Sequence, residues 1–179
     1  MRVLGIDAGF AAMGLVVAQD GRVIHYDTCR TERTAKKRGI RVADDDAERS
    51  QELARFLHDA IDEWRPAGAI VELPTGGAQG ARANRSMGMA TGIVVTVLEL
   101  SRLPAEWVTP DDVKRAATGR RNASKADVQA AVRRHFEWAD WPRYKWQQEH
   151  MADAAGAIMA AEGGTLLRAL ERVAEEVAG

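Results

Sequence analysis

The sequence predicts a mixed α/β domain: a sheet opening with three antiparallel strands, covered by helices. Apolar runs bounded by turn residues fill the N-terminal part, helical spacing follows, and the two then alternate. The resulting order, βββ-α-β-α-β-α-α-α, calls for a five-stranded mixed sheet flanked by helices.

Residues 2–8, RVLGIDA, form a short apolar run ending at a glycine-containing turn, the pattern of a buried strand. Residues 13–18, MGLVVA, make a second strand, and Asp20-Gly21 is a hairpin signal leading into a third, RVIHYDT. The basic segment 30–41 reads as a loop or irregular connection. From about Asp46 to Trp64, Leu53, Phe56, Leu57, Ala60, Ile61 and Trp64 recur at helical spacing, and Pro66 stops the helix.

GAIVEL, 68–73, is a further strand closed by Pro74. The glycine-rich stretch PTGGAQG then leads into a helix from about Ala81 to Arg102. Trp107 and Val108 suggest one more short strand. Thr109-Pro110-Asp111-Asp112 is a helix start, with a capping Thr, Pro in the first turn and acids at the positive helix end. Ser124 with Asp127 marks another start. A Trp-rich connection, 137–147, precedes the last helical region. With no repeat, low-complexity tract or long linker, the expectation is a single domain over 1–179.

Composition narrows the function classes. Apolar residues are 46% and charged residues 28%, a globular balance rather than a disordered one. No stretch reaches the ~20 apolar residues of a membrane span, and the N-terminus lacks a signal-peptide pattern, so a cytosolic location is the default expectation. Cys29 is the only cysteine, which excludes an intramolecular disulfide and a cysteine metal cluster. The net charge of −1 hides segregation. Arg30, Arg33, Lys36, Lys37, Arg38 and Arg41 crowd one segment, and Lys114, Arg115, Arg120, Arg121 and Lys125 another. Each patch is either a solvated face or a phosphate-binding surface.

Three carboxylates stand where burial disfavours them. Asp7 ends an apolar strand and shares a face with Val3 and Gly5. Glu72 ends GAIVEL on the face of Ile70. Asp153 is the only polar side chain in MADAAGAIMAA, 151–161, a helix apolar nearly all round and therefore buried. Singly, each has an ordinary reading as turn former, ion-pair partner or helix-dipole complement. No lysine or arginine is adjacent in sequence to any of them, and an uncompensated buried carboxylate is expensive. A shared divalent cation fits all three.

GIDAG at 5–9, VEL at 71–73 and HMADAAGAIMAA at 150–161 resemble the catalytic segments of RuvC-type Holliday junction resolvases. TPDDVKRAATGRRNASKADVQAAV at 109–132 is similar to that family's lysine-bearing stretch, and the likeness covers about 1–161. The resemblance implies an RNase H-like fold and a metal-dependent endonuclease that resolves four-way DNA junctions. Asp7, Glu72, His150 and Asp153 would be the metal set, holding two Mg²⁺ or Mn²⁺ ions ~4 Å apart around the scissile phosphate. Glu149, four residues before Asp153, is the alternative to His150. Lys114 and Lys125 would offset charge near that phosphate, with Arg82, Arg85, Arg120 and Arg121 as further DNA contacts. The family's aromatic residue after the strand-end glutamate is absent from LPTGG.

The resemblance also implies a homodimer built partly on the helix bearing Met87, Ala90, Ile93, Val94, Val97, Leu98 and Ser101. Trp138, Trp141, Tyr144 and Trp146 are either packing residues or stacking surfaces for unpaired bases. The loop Thr75–Arg85 is either a DNA-contacting segment or a connector. The rival functions are an RNase H-like nuclease for other branched DNA or RNA–DNA hybrids, an inactive interaction module, and an actin-like ATPase. The last needs a second G-x-D-x-G phosphate loop, which the sequence lacks.

Overall fold

The computed structural model describes residues 1–73 and 80–178. Much of the glycine-rich loop reading, 74–79, lies outside the described residues. Strands β1 (Arg2–Asp7), β2 (Ala12–Gln19) and β3 (Arg22–Arg30) form the antiparallel meander. Asp20 and Gly21 at the tight turn both have positive φ, 53° and 79°, which matches the twist a two-residue hairpin needs. Then come α1 (Ala35–Arg38), α2 (Val42–Trp64), β4 (Gly68–Glu72), α3 (Ala81–Leu100), β5 (Ala105–Val108), α4 (Pro110–Thr118) and α5 (Lys125–His135). The chain closes with β6 (Glu137–Trp138), α6 (Lys145–Ala160) and α7 (Thr165–Ala178).

The sheet order is β5-β4-β1-β2-β3-β6. It has six strands rather than the five expected. The extra one, β6, is a two-residue parallel pairing of Glu137 and Trp138 with Arg22 and Val23, too short to leave a periodic signal. The basic segment holds a short helix, α1, where a loop was expected, and α2 starts at Val42 rather than near Asp46. Capping boxes at Thr109–Asp112 and Ser124–Asp127 start α4 and α5, as the sequence indicates. No helix among the described residues is long and apolar enough to cross a membrane.

Alternation along β1 divides the interior. Leu4 and Ile6 point to one face of the sheet, where Leu53, Leu57 and Ile61 of α2 and Ala90, Val94 and Leu98 of α3 cover them. Val3 points to the other face, with Ile70, Val113, Val128, Val132, Met151, Ala154 and Ile158. Most of the apolar stripe on α3 therefore serves the core. Each fully buried side chain of this kind stabilises the fold by roughly 1.5–3 kcal/mol.

Helix α6 lies unusually close to the strands. A Cβ on Gly5 would sit 2.3 Å from the Ala154 carbonyl oxygen, and one on Gly14 would sit 2.8 Å from His150 Cβ and from its carbonyl oxygen. Glycine at both positions lets backbone meet backbone.

Gly5→Ala should therefore push α6 off the sheet and cost about 3 kcal/mol, the upper end for overpacking. Urea unfolding of both proteins measures this. A variant within experimental error of the parent would show that α6 has room to move.

Candidate active site

The parallel pairing of β1 with β4 puts Asp7 directly opposite Glu72, and both end their strands on the α6 face. Helix α6 completes the group. His150 Nδ1 lies 2.7 Å from Asp7 Oδ2, and Asp153, three residues on, shares that helix face. The four residues named from the sequence are thus brought to one edge of the sheet.

Their electrostatics show strain. Burial, followed by the charges of Asp153 and Asp7, pushes the Glu72 carboxyl up to about 8, against the opposing pull of Lys125 and Lys114. Glu72 Oε2 is buried without any hydrogen-bond partner. Burial and then Asp7 push Asp153 up to about 6. The hydrogen bond to Asp7 raises the His150 imidazole, outweighing the effect of its burial.

A pocket lined by Glu72, Lys114, Lys125 and Asp153 meets a larger one lined by Asp7, Arg33, Arg49 and Arg82, and Glu72 and Pro110 border both. The two form a continuous cleft with carboxylates in the middle and cations at either end. Arg120 and Arg121 are exposed on the turn between α4 and α5, a few residues before Lys125 in the chain. Glu149 lies 3.6 Å from Lys125 Nζ, and its charge also acts on Asp153. Of the two rivals, His150 is the one against Asp7. Arg85 commits a guanidinium nitrogen to Asp46, 2.9 Å away.

Sequence reasoning missed the buried polar cluster that frames this cleft. Arg49 is 8% exposed, stacks 4.3 Å over the Phe10 ring, donates to Thr31 Oγ1 at 3.0 Å, and pairs with Asp46. A signal was present: Asp46 and Arg49 continue the buried stripe of Leu53, Leu57 and Ile61 back towards the helix start.

A divalent cation suits this donor set. Burial, reinforced by neighbouring like charges, raises two of its carboxyls, and one carboxylate oxygen has no partner. Among the described residues no three His, Cys, Asp or Glu side chains form a ready-made cage.

Comparison with known proteins agrees over nearly the whole chain. The family model "Crossover junction endodeoxyribonuclease RuvC" matches residues 3–161. The crossover junction endodeoxyribonuclease RuvC of Salinispora arenicola is 32% identical, across 94% of this chain and 92% of that protein. Its counterpart from a Synechococcus species is 32% identical, across 94% of this chain and all of that protein. Among solved structures, T. thermophilus RuvC in complex with Holliday junction substrate superposes with a TM-score of 0.74 at 25% identity, covering 90% of this chain and 93% of that one. The yeast mitochondrial Holliday junction resolvase shares the fold, with a TM-score of 0.60 at 17% identity over 89% of this chain and 76% of that one.

The raised carboxyls set a pH dependence. Glu72 and Asp153 keep protons in the folded protein at pH values where the unfolded chain has released them. Their contribution to stability is therefore present in acid and is lost as pH rises towards about 8 for Glu72 and about 6 for Asp153. In chelator-treated protein, the difference in Tm between Glu72→Gln and the parent should grow in favour of the variant from pH 5 to pH 8. Added Mn²⁺ should raise the parent's Tm more than the variant's. A pH-independent difference would mean that Glu72 carries no strain.

Proposed function

The chain belongs to the crossover junction endodeoxyribonuclease RuvC family, and from that premise we infer that it is a structure-selective DNA endonuclease. It resolves four-way junctions by divalent-metal-dependent phosphodiester hydrolysis. The observation that carries this reading is the pairing of Asp7 and Glu72 across β1 and β4, with His150 and Asp153 laid over them by α6.

Asp7, Glu72, His150 and Asp153 would hold Mg²⁺ or Mn²⁺, two ions per site. When bound, these ions supply an activated water, charge relief at the phosphate and stabilisation of the leaving oxygen. Glu72 and Asp153 give up their protons to take up this role. Asp7 Oδ2 orients the His150 ring through the Nδ1 contact, and the ring must be neutral to ligate. Lys114 and Lys125, already close enough to counter the Glu72 proton, offset the negative charge that builds on the phosphate. Arg33 and Arg82 at one end of the cleft, with Arg120 and Arg121 near the other, position the strand through its phosphates.

The working unit is a homodimer, since a four-way junction presents two symmetric strands to cut. Val95 and Leu100, 46% and 80% exposed, leave apolar surface on the outer side of α3 for that contact.

Glu72→Gln keeps the shape of the site and removes its charge. Single-turnover cleavage of a four-way junction should fall at least ~10³-fold, on the scale of losing a principal electrostatic group. Binding should survive, with sedimentation showing two chains per junction. Near-normal cleavage would remove Glu72 from the site, and a single chain per junction would defeat the dimer. Three-way, flap and RNA–DNA hybrid substrates, tested alongside, should be cut more slowly.

His150→Asp should shift the metal preference from Mn²⁺ towards Mg²⁺, because an imidazole nitrogen suits Mn²⁺ better than the harder Mg²⁺. With Asp7 raising the His150 ring, wild-type cleavage should also fall on acidification from a higher pH than an ordinary histidine would give. Cleavage rates with each metal, measured across pH for both proteins, test this. Identical metal ratios and pH profiles would exclude His150 as a ligand and point to Glu149.

A further inference from the structure

Four aromatic residues lie before and at the start of α6, and the structure separates them. Trp138 and Trp141 pack edge to face with centroids 4.6 Å apart. Trp138 Nε1 donates to the Val132 carbonyl, and Arg133 lies 5.1 Å over the Trp141 ring. These two rings are engaged with each other and with α5. Trp146 is different. It is 36% exposed on α6, and Arg30 lies 5.6 Å over its ring.

Its position follows from the helix. Trp146, His150 and Asp153 are spaced four and three apart, so they lie along one face of α6. Ala154 rests on Gly5, and His150 on Gly14, the partner of Asp7 at the end of β1. Moving towards the N-terminus of α6 therefore runs towards the end of β1. One further turn carries Trp146 past that end, to the edge where Asp7 and Glu72 stand. Arg30 reaches the same edge as the last residue of β3, opposite Ala12 at the start of β2. Among the described residues Arg30 has no carboxylate partner, and Arg143 and Lys145, close before Trp146 in the sequence, are exposed.

We propose that Trp146, held by Arg30, is a stacking platform for a nucleobase at the branch point of the bound junction. The inference deepens the reading of the site as a junction nuclease and rests on it. Bases inside continuous duplex are stacked on both sides and gain nothing from an aromatic face. A base at a crossover can lose a stacking neighbour, and an indole replaces it whatever the sequence. The Arg30 guanidinium adds a positive charge for the adjoining phosphate. The platform thus favours branched over linear DNA at one helical turn from the cutting residues.

The test uses full-length protein carrying Glu72→Gln, so that the junction is held and not cut. 2-Aminopurine is placed either next to the cut position or deep in one arm. With Trp146 present, binding should quench the probe at the branch point and leave the probe in the arm unchanged. Trp146→Leu, which keeps apolar bulk on a helix and removes the ring, should abolish that quenching. It should also weaken junction binding about tenfold while leaving linear-duplex binding unchanged, the scale of one lost base–aromatic stack. Trp146→Phe should retain most of both. Arg30→Gln, which leaves the indole in place, should weaken binding less than Trp146→Leu does.

Unchanged branch-point quenching and an unchanged junction-to-duplex affinity ratio in Trp146→Leu would overturn the platform. Equal loss on junction and linear duplex would also overturn it, by showing a general packing role. Failure of the Glu72→Gln protein with Trp146 intact to prefer junction over duplex would instead overturn the functional reading itself.

Discussion

The Ala154 carbonyl oxygen and the His150 backbone press against Gly5 and Gly14 so closely that neither strand position has space for a methyl group. The arrangement of the four candidate site residues depends on this contact. Asp7 and Glu72 belong to the sheet and hold their places through strand pairing. His150 and Asp153 belong to a helix more than seventy residues further along the chain. A larger residue at either glycine would lift the helix, and His150 would lose its 2.7 Å contact with Asp7. Backbone packing here fixes the distance between two halves of one site.

That packing creates an electrostatic problem. Glu72 and Asp153 are half-buried in the cleft, and burial followed by neighbouring carboxylate charge raises their carboxyls to about 8 and about 6. Lys114 and Lys125 relieve part of the charge, and Glu149 draws Lys125 partly away. A structure optimised for stability alone would not collect these acids on one buried edge. Strain of this kind is common where a site is built for a charged partner.

On the opposite side of the cleft, the chain uses a paired buried network. Arg49 reaches Thr31 and Phe10, while Asp46 pairs with both Arg49 and Arg85. The start of α2, the end of β3 and the first turns of α3 are thereby tied together. Breaking such a buried pair from one side typically costs about 3–5 kcal/mol. The network gives the cleft a rigid wall next to its acids. It also accounts for Arg85, whose guanidinium is partly committed to the fold.

Local pattern carried much of this protein in its sequence. Strict alternation in β1 and β4 placed Asp7 and Glu72 at strand ends on definite faces, since successive strand side chains point to opposite sides of a sheet. The three-residue spacing of His150 and Asp153 put both on one helical face, and capping chemistry located α4 and α5. Tertiary structure decided the rest. The sixth strand is a two-residue edge pairing below the reach of periodicity. Asp46 and Arg49 pair with each other within α2, but the groups that bury and complete that pair, Phe10, Thr31 and Arg85, come from other elements. Whether His150 or Glu149 turns to Asp7, and which tryptophan stands at the edge bearing Asp7 and Glu72, depended on how α6 is rotated and seated against Gly5 and Gly14. Those are distances between segments remote in the chain, and only the folded packing sets them.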